Sequence, residues 1–174
     1  ACGVAAAEHE IGAQRQNFFQ QSVIDGNVLR LRRKLRQRGI ACHPSHRCDL
    51  RAIGKLQQQI TFGTDRSALA DADLVIEAVV EDLAVKQAIF ADLENIVRDD
   101  CVLASNTSSL PVSAMAAGLK HPERVVGLHF FNPVAVMQLV EVVRAQQSGD
   151  QAIATAFAVT KQLKKSAVLV VDSP

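Results

Sequence analysis

His129 and Glu141 each fall on an apolar run within GLHFFNPVAVMQLVE, residues 127–141, with the turn signal Asn132-Pro133 between them. A carboxylate beside an imidazole fixes its tautomer and stabilises its protonated form, which suits His129 to work as a general base. Upstream, Asn106-Thr107-Ser108-Ser109 adds amide and hydroxyl groups. Together these residues point to an enzyme active site rather than a generic domain. Each also has a plainer reading. A histidine ending an apolar strand is usually a satisfied core residue, and Glu141 in LVEVV could be an edge carboxylate facing water. Ser108 belongs to a segment rich in side chains that bond their own backbone.

The elements that must position these groups are legible from residue 73 onward. LVIEAVV, residues 74–80, is an almost continuous apolar run, the pattern of a strand buried on both faces. Asp82 can cap a helix carrying Val85, Ile89, Leu93 and Ile96 at helical spacing. CVLAS, residues 101–105, reads as the next strand. Ser109 is expected to cap a short helix with Pro111 in its first turn and Gly118 near its end. Residues 125–131 and 137–143 read as a third and a fourth strand. Ile153, Ala156, Phe157, Thr160 and Leu163 mark another helix, started near Asp150 and finished by Lys164-Lys165. Residues 167–171 close as a strand. Strands alternating with helices predict an open α/β sheet.

Composition sets wider bounds. The 174 residues carry a net charge of +1, but unevenly. Residues 1–58 hold ten Lys/Arg against four Asp/Glu, while the remainder holds nine against fourteen. Four cysteines (Cys2, Cys42, Cys48 and Cys101) lack the density of a secreted scaffold and favour a reducing compartment. The chain shows no secretory-signal pattern and no apolar run long enough to span a membrane.

Residues 1–58 are far less legible. Phe18-Phe19 and residues 28–35 could be helical, and residues 30–38 are dense in positive charge. Gly3, Gly12 and Gly26 are too widely spaced to make a phosphate loop. Cys42, His43, His46 and Cys48 could suit zinc, but they lack the regular paired spacing of a structural site, so no metal is expected. The arginine run could touch nucleic-acid phosphates; a solvated helix face is the simpler reading.

Four segments carry a resemblance to a known family. ADADLVIEAVVEDLAVKQAIF (70–90), LASNTSSLPVSAMA (103–116), HPERVVGLHFFNPVAVMQLVEVV (121–143) and VLVVDSP (168–174) resemble the NAD-binding domain of the 3-hydroxyacyl-CoA dehydrogenases, over roughly residues 60–174. The resemblance implies a Rossmann-like, doubly wound, mostly parallel sheet. It further implies NAD-dependent oxidation of a 3-hydroxyacyl-CoA to the 3-ketoacyl-CoA, as in fatty-acid β-oxidation.

By that resemblance His129 is the catalytic base, Glu141 its orienting carboxylate, and Ser108 a contact to both substrate oxygen and nicotinamide. Glu81, Lys86 and Asn132 match positions that contact the ribose and nicotinamide end of NAD. The implied partner is an acyl-CoA substrate, in the cytoplasm or, in a eukaryote, the mitochondrial matrix. The family also has a C-terminal helical domain, through which it forms homodimers, and this sequence does not include it.

Where the family has a Gly-rich turn and a ribose-binding acid, residues 1–58 show neither. They are therefore expected to be a divergent half-domain or, favoured by the change in charge near residue 59, mis-assigned sequence, with residues 59–174 forming the second part of the NAD-binding domain. The alternatives are the dehydrogenase portion of a multifunctional β-oxidation protein and, from another class, a non-catalytic fragment holding nucleic acid.

Overall fold

The computed structural model describes residues 63–173. The readings placed on residues 1–58, including the arginine run and the Cys/His cluster, lie outside them. Five strands, β1 (Leu74–Glu77), β2 (Val102–Ser105), β3 (Val125–Phe130), β4 (Leu139–Arg144) and β5 (Ser166–Val171), form one sheet in that spatial order. Three α-helices intervene: α1 (Leu83–Glu94), α2 (Val112–Ala116) and α3 (Asp150–Gln162). β1–β2, β2–β3 and β4–β5 pair in parallel, and β4 runs antiparallel to β3. This mostly parallel α/β sheet is the Rossmann-like architecture expected from the sequence.

Side chains alternate across each strand, so the sheet builds a separate core on each face. On one face Val75, Leu103 and Val125 pack with Ile89, Phe90 and Leu93 of α1 and Val112 and Met115 of α2. On the other, Val102, Ala104, Val126, Leu128, Val140 and Val142 pack with Ala152, Ile153 and Ala156 of α3. Each fully buried Phe, Leu or Met contributes on the order of 1.5–3 kcal/mol. β2 is buried along its whole length, as a central strand should be.

Gly127 serves a close approach on the α1/α2 face. A Cβ there would lie 2.6 Å from Val143 Cβ and 3.1 Å from Val112 Cγ2. Its lack of a side chain lets β3 and β4 draw together two residues before His129.

Three local expectations are corrected. β1 ends at Glu77 rather than residue 80, because the Glu77 carboxylate accepts the Val79 amide at 2.6 Å and turns the chain out of the ladder. Ser109 does not cap α2. Pro111 occupies the cap position without a side-chain bond, and the Asp172 carboxylate, just after β5, accepts from Val112 N at 3.2 Å and Ser113 N at 2.7 Å. α3 ends at Gln162, and Lys164 follows in the left-handed region at φ 58°. The Lys165 backbone amide closes the helix end by donating to the Thr160 carbonyl at 3.1 Å, but its side chain does not serve that end. Its ammonium donates to the Val134 and Met137 carbonyls, each at 2.6 Å, and so pins the connection between β3 and β4. Asp82 does cap α1, accepting from Val85 N at 3.0 Å.

Candidate active site

The carboxyl ends of β1, β2 and β3 converge on one edge of the sheet, the place where open α/β folds bind ligands. His129 and Glu141 face each other directly in the β3–β4 register. Their side chains meet with His129 Nδ1 2.8 Å from Glu141 Oε2. A carboxylate can only accept, so Nδ1 is the donor in this pair and Nε2 is the ring nitrogen left for a substrate. The Phe131 ring stands 4.6 Å from the imidazole at a tilt of 50° and limits its swing. One residue further back, Asn106 Oδ1 accepts the Phe130 amide at 2.8 Å and ties the end of β2 to β3 beside the histidine.

The second group of residues forms around the segment that follows β2. Glu81 Oε1 accepts from the Thr107 hydroxyl, from Ser108 N at 3.1 Å and from Ser109 Oγ at 3.3 Å. Its Oε2 pairs with Lys86 Nζ at 3.3 Å. Partial burial pushes the Glu81 carboxyl up, but the Thr107 hydroxyl, the Lys86 ammonium and the Ser108 amide outweigh it and hold it below the usual carboxylate range. Glu81 is therefore an anion at neutral pH, and its side chain is 40 % exposed. Thr107 also accepts the Leu110 amide at 3.0 Å, which shapes the turn into α2.

Thr107, Ser108, Ser109 and Glu141 line one open cleft of about 190 Å³, together with Leu110 and Asp172. The structure thus brings together His129, Glu141, Ser108, Glu81 and Lys86 as two linked sets. Glu141 joins His129 by a hydrogen bond and Ser108 across the cleft, while Ser108 joins Glu81 and, through it, Lys86. Lys86 is buried and reaches the cleft through Glu81. Asn132 lies in the turn after β3, preceding a cis peptide bond to Pro133.

The sequence singles out neither Glu77 nor Asp172, and it marks Asn106 and Thr107 only as part of the run 106–109. A signal existed for Glu77: an acid inside an apolar run, with a lysine nine residues on.

An exposed carboxylate beside hydroxyl groups could hold the hydroxyls of a sugar such as a ribose. Glu81 is anionic, partly open to solvent and held in place, and Oε2 engages Lys86 with acceptor capacity to spare for a sugar hydroxyl. Serine and threonine hydroxyls stand beside it.

Comparison with known proteins identifies the family. A family model described as the 3-hydroxyacyl-CoA dehydrogenase NAD binding domain matches residues 23–173. The fatty acid oxidation complex subunit alpha of Pseudomonas putida is 45 % identical over 123 residues, covering 71 % of this chain and 17 % of the relative. The solved structure of FadB2 from M. tuberculosis is 48 % identical, with TM-score 0.69, covering 72 % of this chain and 45 % of that one. That of (S)-3-hydroxybutyryl-CoA dehydrogenase PaaH1 from Ralstonia eutropha is 36 % identical, with TM-score 0.70, covering 73 % and 45 %. The chain spans 17 % of the length of the curated relatives it matches. With 151 of its residues matched, it belongs to the 3-hydroxyacyl-CoA dehydrogenase family through that family's NAD-binding domain.

Proposed function

We propose that this chain is the cofactor-binding part of an NAD-dependent 3-hydroxyacyl-CoA dehydrogenase, with His129 as its general base. The observation that carries the reading is the 2.8 Å His129–Glu141 pair at the carboxyl end of the sheet. Nε2 takes the proton of the substrate's 3-hydroxyl, and Glu141 stabilises the imidazolium that results. NAD, when bound, supplies the acceptor for the hydride leaving C3. Ser108 orients the substrate oxygen, Glu81 holds the ribose side of the cofactor, and Lys86 fixes Glu81. Asn132 completes the nicotinamide end.

A fatty-acid β-oxidation role, within a longer multifunctional protein, is favoured by the name of the Pseudomonas relative and by the small share of it that this chain spans. Among the described residues no helix is long and apolar enough to cross a membrane. A cytoplasmic setting follows from the sparse cysteines and is part of the same proposal.

The test is NAD-dependent oxidation of 3-hydroxybutyryl-CoA by the wild-type chain and by His129→Ala. Loss of the base should lower kcat by roughly 100-fold or more while leaving the KM for NAD unchanged. Equal rates in the two proteins would overturn the assignment.

A further inference from the structure

We infer that Glu77, which has no assigned role, is the positioning residue of the cofactor cleft: it holds the Thr107–Ser109 segment from two sides at once. The inference rests on the proposed cofactor reading for what the cleft binds, but not for how the segment is held.

Glu77 ends β1 with its side chain 1 % exposed. Its Oε1 accepts from Lys86 Nζ at 2.7 Å and from Val79 N at 2.6 Å. Its Oε2 accepts from Ser105 Oγ at 2.7 Å. Two chains of bonds then leave this carboxylate and converge. Through Ser105, whose hydroxyl accepts the Thr107 amide at 3.2 Å, Glu77 sets the backbone where the segment begins. Through Lys86, equally buried, it sets Glu81, which binds Thr107, Ser108 and Ser109. The backbone adds a third tie, since Asn106 N donates to the Glu77 carbonyl at 2.8 Å.

Charge explains why a carboxylate is needed here. Lys86 is one cation between two acids, so Glu77 neutralises the buried ammonium and leaves Glu81 as the partly exposed anion that binds the Thr107–Ser109 segment. A glutamine is a poor substitute. Its NH₂ cannot face the Lys86 ammonium and the Val79 amide, which only donate, and with its NH₂ turned to the Ser105 hydroxyl, which can accept, it still lacks the charge that neutralises Lys86.

The experiment is amide hydrogen exchange by NMR on the purified chain, comparing wild type with Glu77→Gln, alongside an NADH titration of both. Expected is exchange at the Thr107 and Ser108 amides faster by at least about tenfold than any change at core amides of β2 and β3, with NADH binding weakened to a similar degree. Uniform acceleration across core and loop would overturn the inference, because Glu77 would then serve global stability alone.

Should Glu77→Gln fail to fold, the double variant Glu77→Gln/Lys86→Met removes the buried charge that Glu77 no longer neutralises and carries the same comparison. Core protection should return while the two loop amides stay fast and NADH binding stays weak; restoration of both would refute the positioning role. Absence of NADH binding by the wild-type chain would defeat the proposed function. The amide comparison would still decide the role of Glu77.

Discussion

His129 and Glu141 occupy one rung of the antiparallel β3–β4 ladder, and that rung aims the imidazole of one strand at the carboxylate of the next with Nδ1 and Oε2 2.8 Å apart. Directly opposed residues keep their Cβ atoms close whatever the side chains do, so the pair costs little ordering beyond that of the sheet itself. Reversal of β4 against β3 makes this possible.

The first expectation concerns the tautomer. In wild type, with the imidazole in its neutral form, ¹⁵N chemical shifts should show the proton on Nδ1 and Nε2 bare. Glu141→Gln should mix the tautomers and cost on the order of 1 kcal/mol of stability by chemical denaturation, the difference between a hydrogen bond to a charged group and one to a neutral amide. An unchanged tautomer in the variant would mean that Glu141 does not orient the base.

Gly127→Ala tests the spacing beneath that rung. The added Cβ would meet Val143 Cβ at 2.6 Å, so β3 and β4 must part. Overpacking of this kind costs about 1–3 kcal/mol, readable as a lower denaturation midpoint. Stability equal to wild type would show that the strands have slack there.

Asp172 and Ser109 make contrasting predictions for the start of α2. Asp172→Ala removes both bonds to Val112 N and Ser113 N and should destabilise by about 1 kcal/mol, the worth of a helix cap. Ser109→Ala, which removes only a 3.3 Å bond to Glu81, should change stability by less than about 0.5 kcal/mol. The reverse order would restore Ser109 as the cap.

Acid should weaken the fold in a defined window. Burial pushes the Glu94 carboxyl up, but the Lys120 and His121 amides and the Arg124 guanidinium outweigh it and lower it from its ordinary value of 4.5; Glu81 is lowered likewise. A carboxyl with a depressed folded pKa contributes stability that is complete above its unfolded value and is lost as pH falls through the folded one. Stability should therefore hold above about pH 4.5 and decline below it, with a shallower decline in Glu94→Gln. An acid limb as steep in Glu94→Gln as in wild type would remove Glu94 from the cause.

The parts of the fold that were legible are those specified by neighbouring residues. Asp82 announced α1 because a cap bonds a residue three positions away. VLAS announced β2 because a strand covered on both faces reads as apolar throughout. What stayed hidden depends on long-range contacts. Asp172 caps a helix 60 positions earlier, and Lys165 ties down carbonyls 28 and 31 positions back. Glu77 sat in an apolar run that masked its partner on the next element.

In the site, His129, Glu141 and Ser108 were named from motif and resemblance. The bonds that hold Ser108 to Glu81, and Glu81 to a buried lysine, became visible only when α1 and the end of β2 were set side by side.

The central claim is that the described cleft holds the dinucleotide beside the His129–Glu141 pair. An NADH fluorescence titration of the purified chain tests it most directly, with Glu81→Ala and His129→Ala measured alongside. Saturable binding is expected in wild type and His129→Ala, with affinity at least about tenfold weaker in Glu81→Ala. A folded wild-type chain that shows no saturable binding, or a Glu81→Ala chain that binds as tightly, would contradict it.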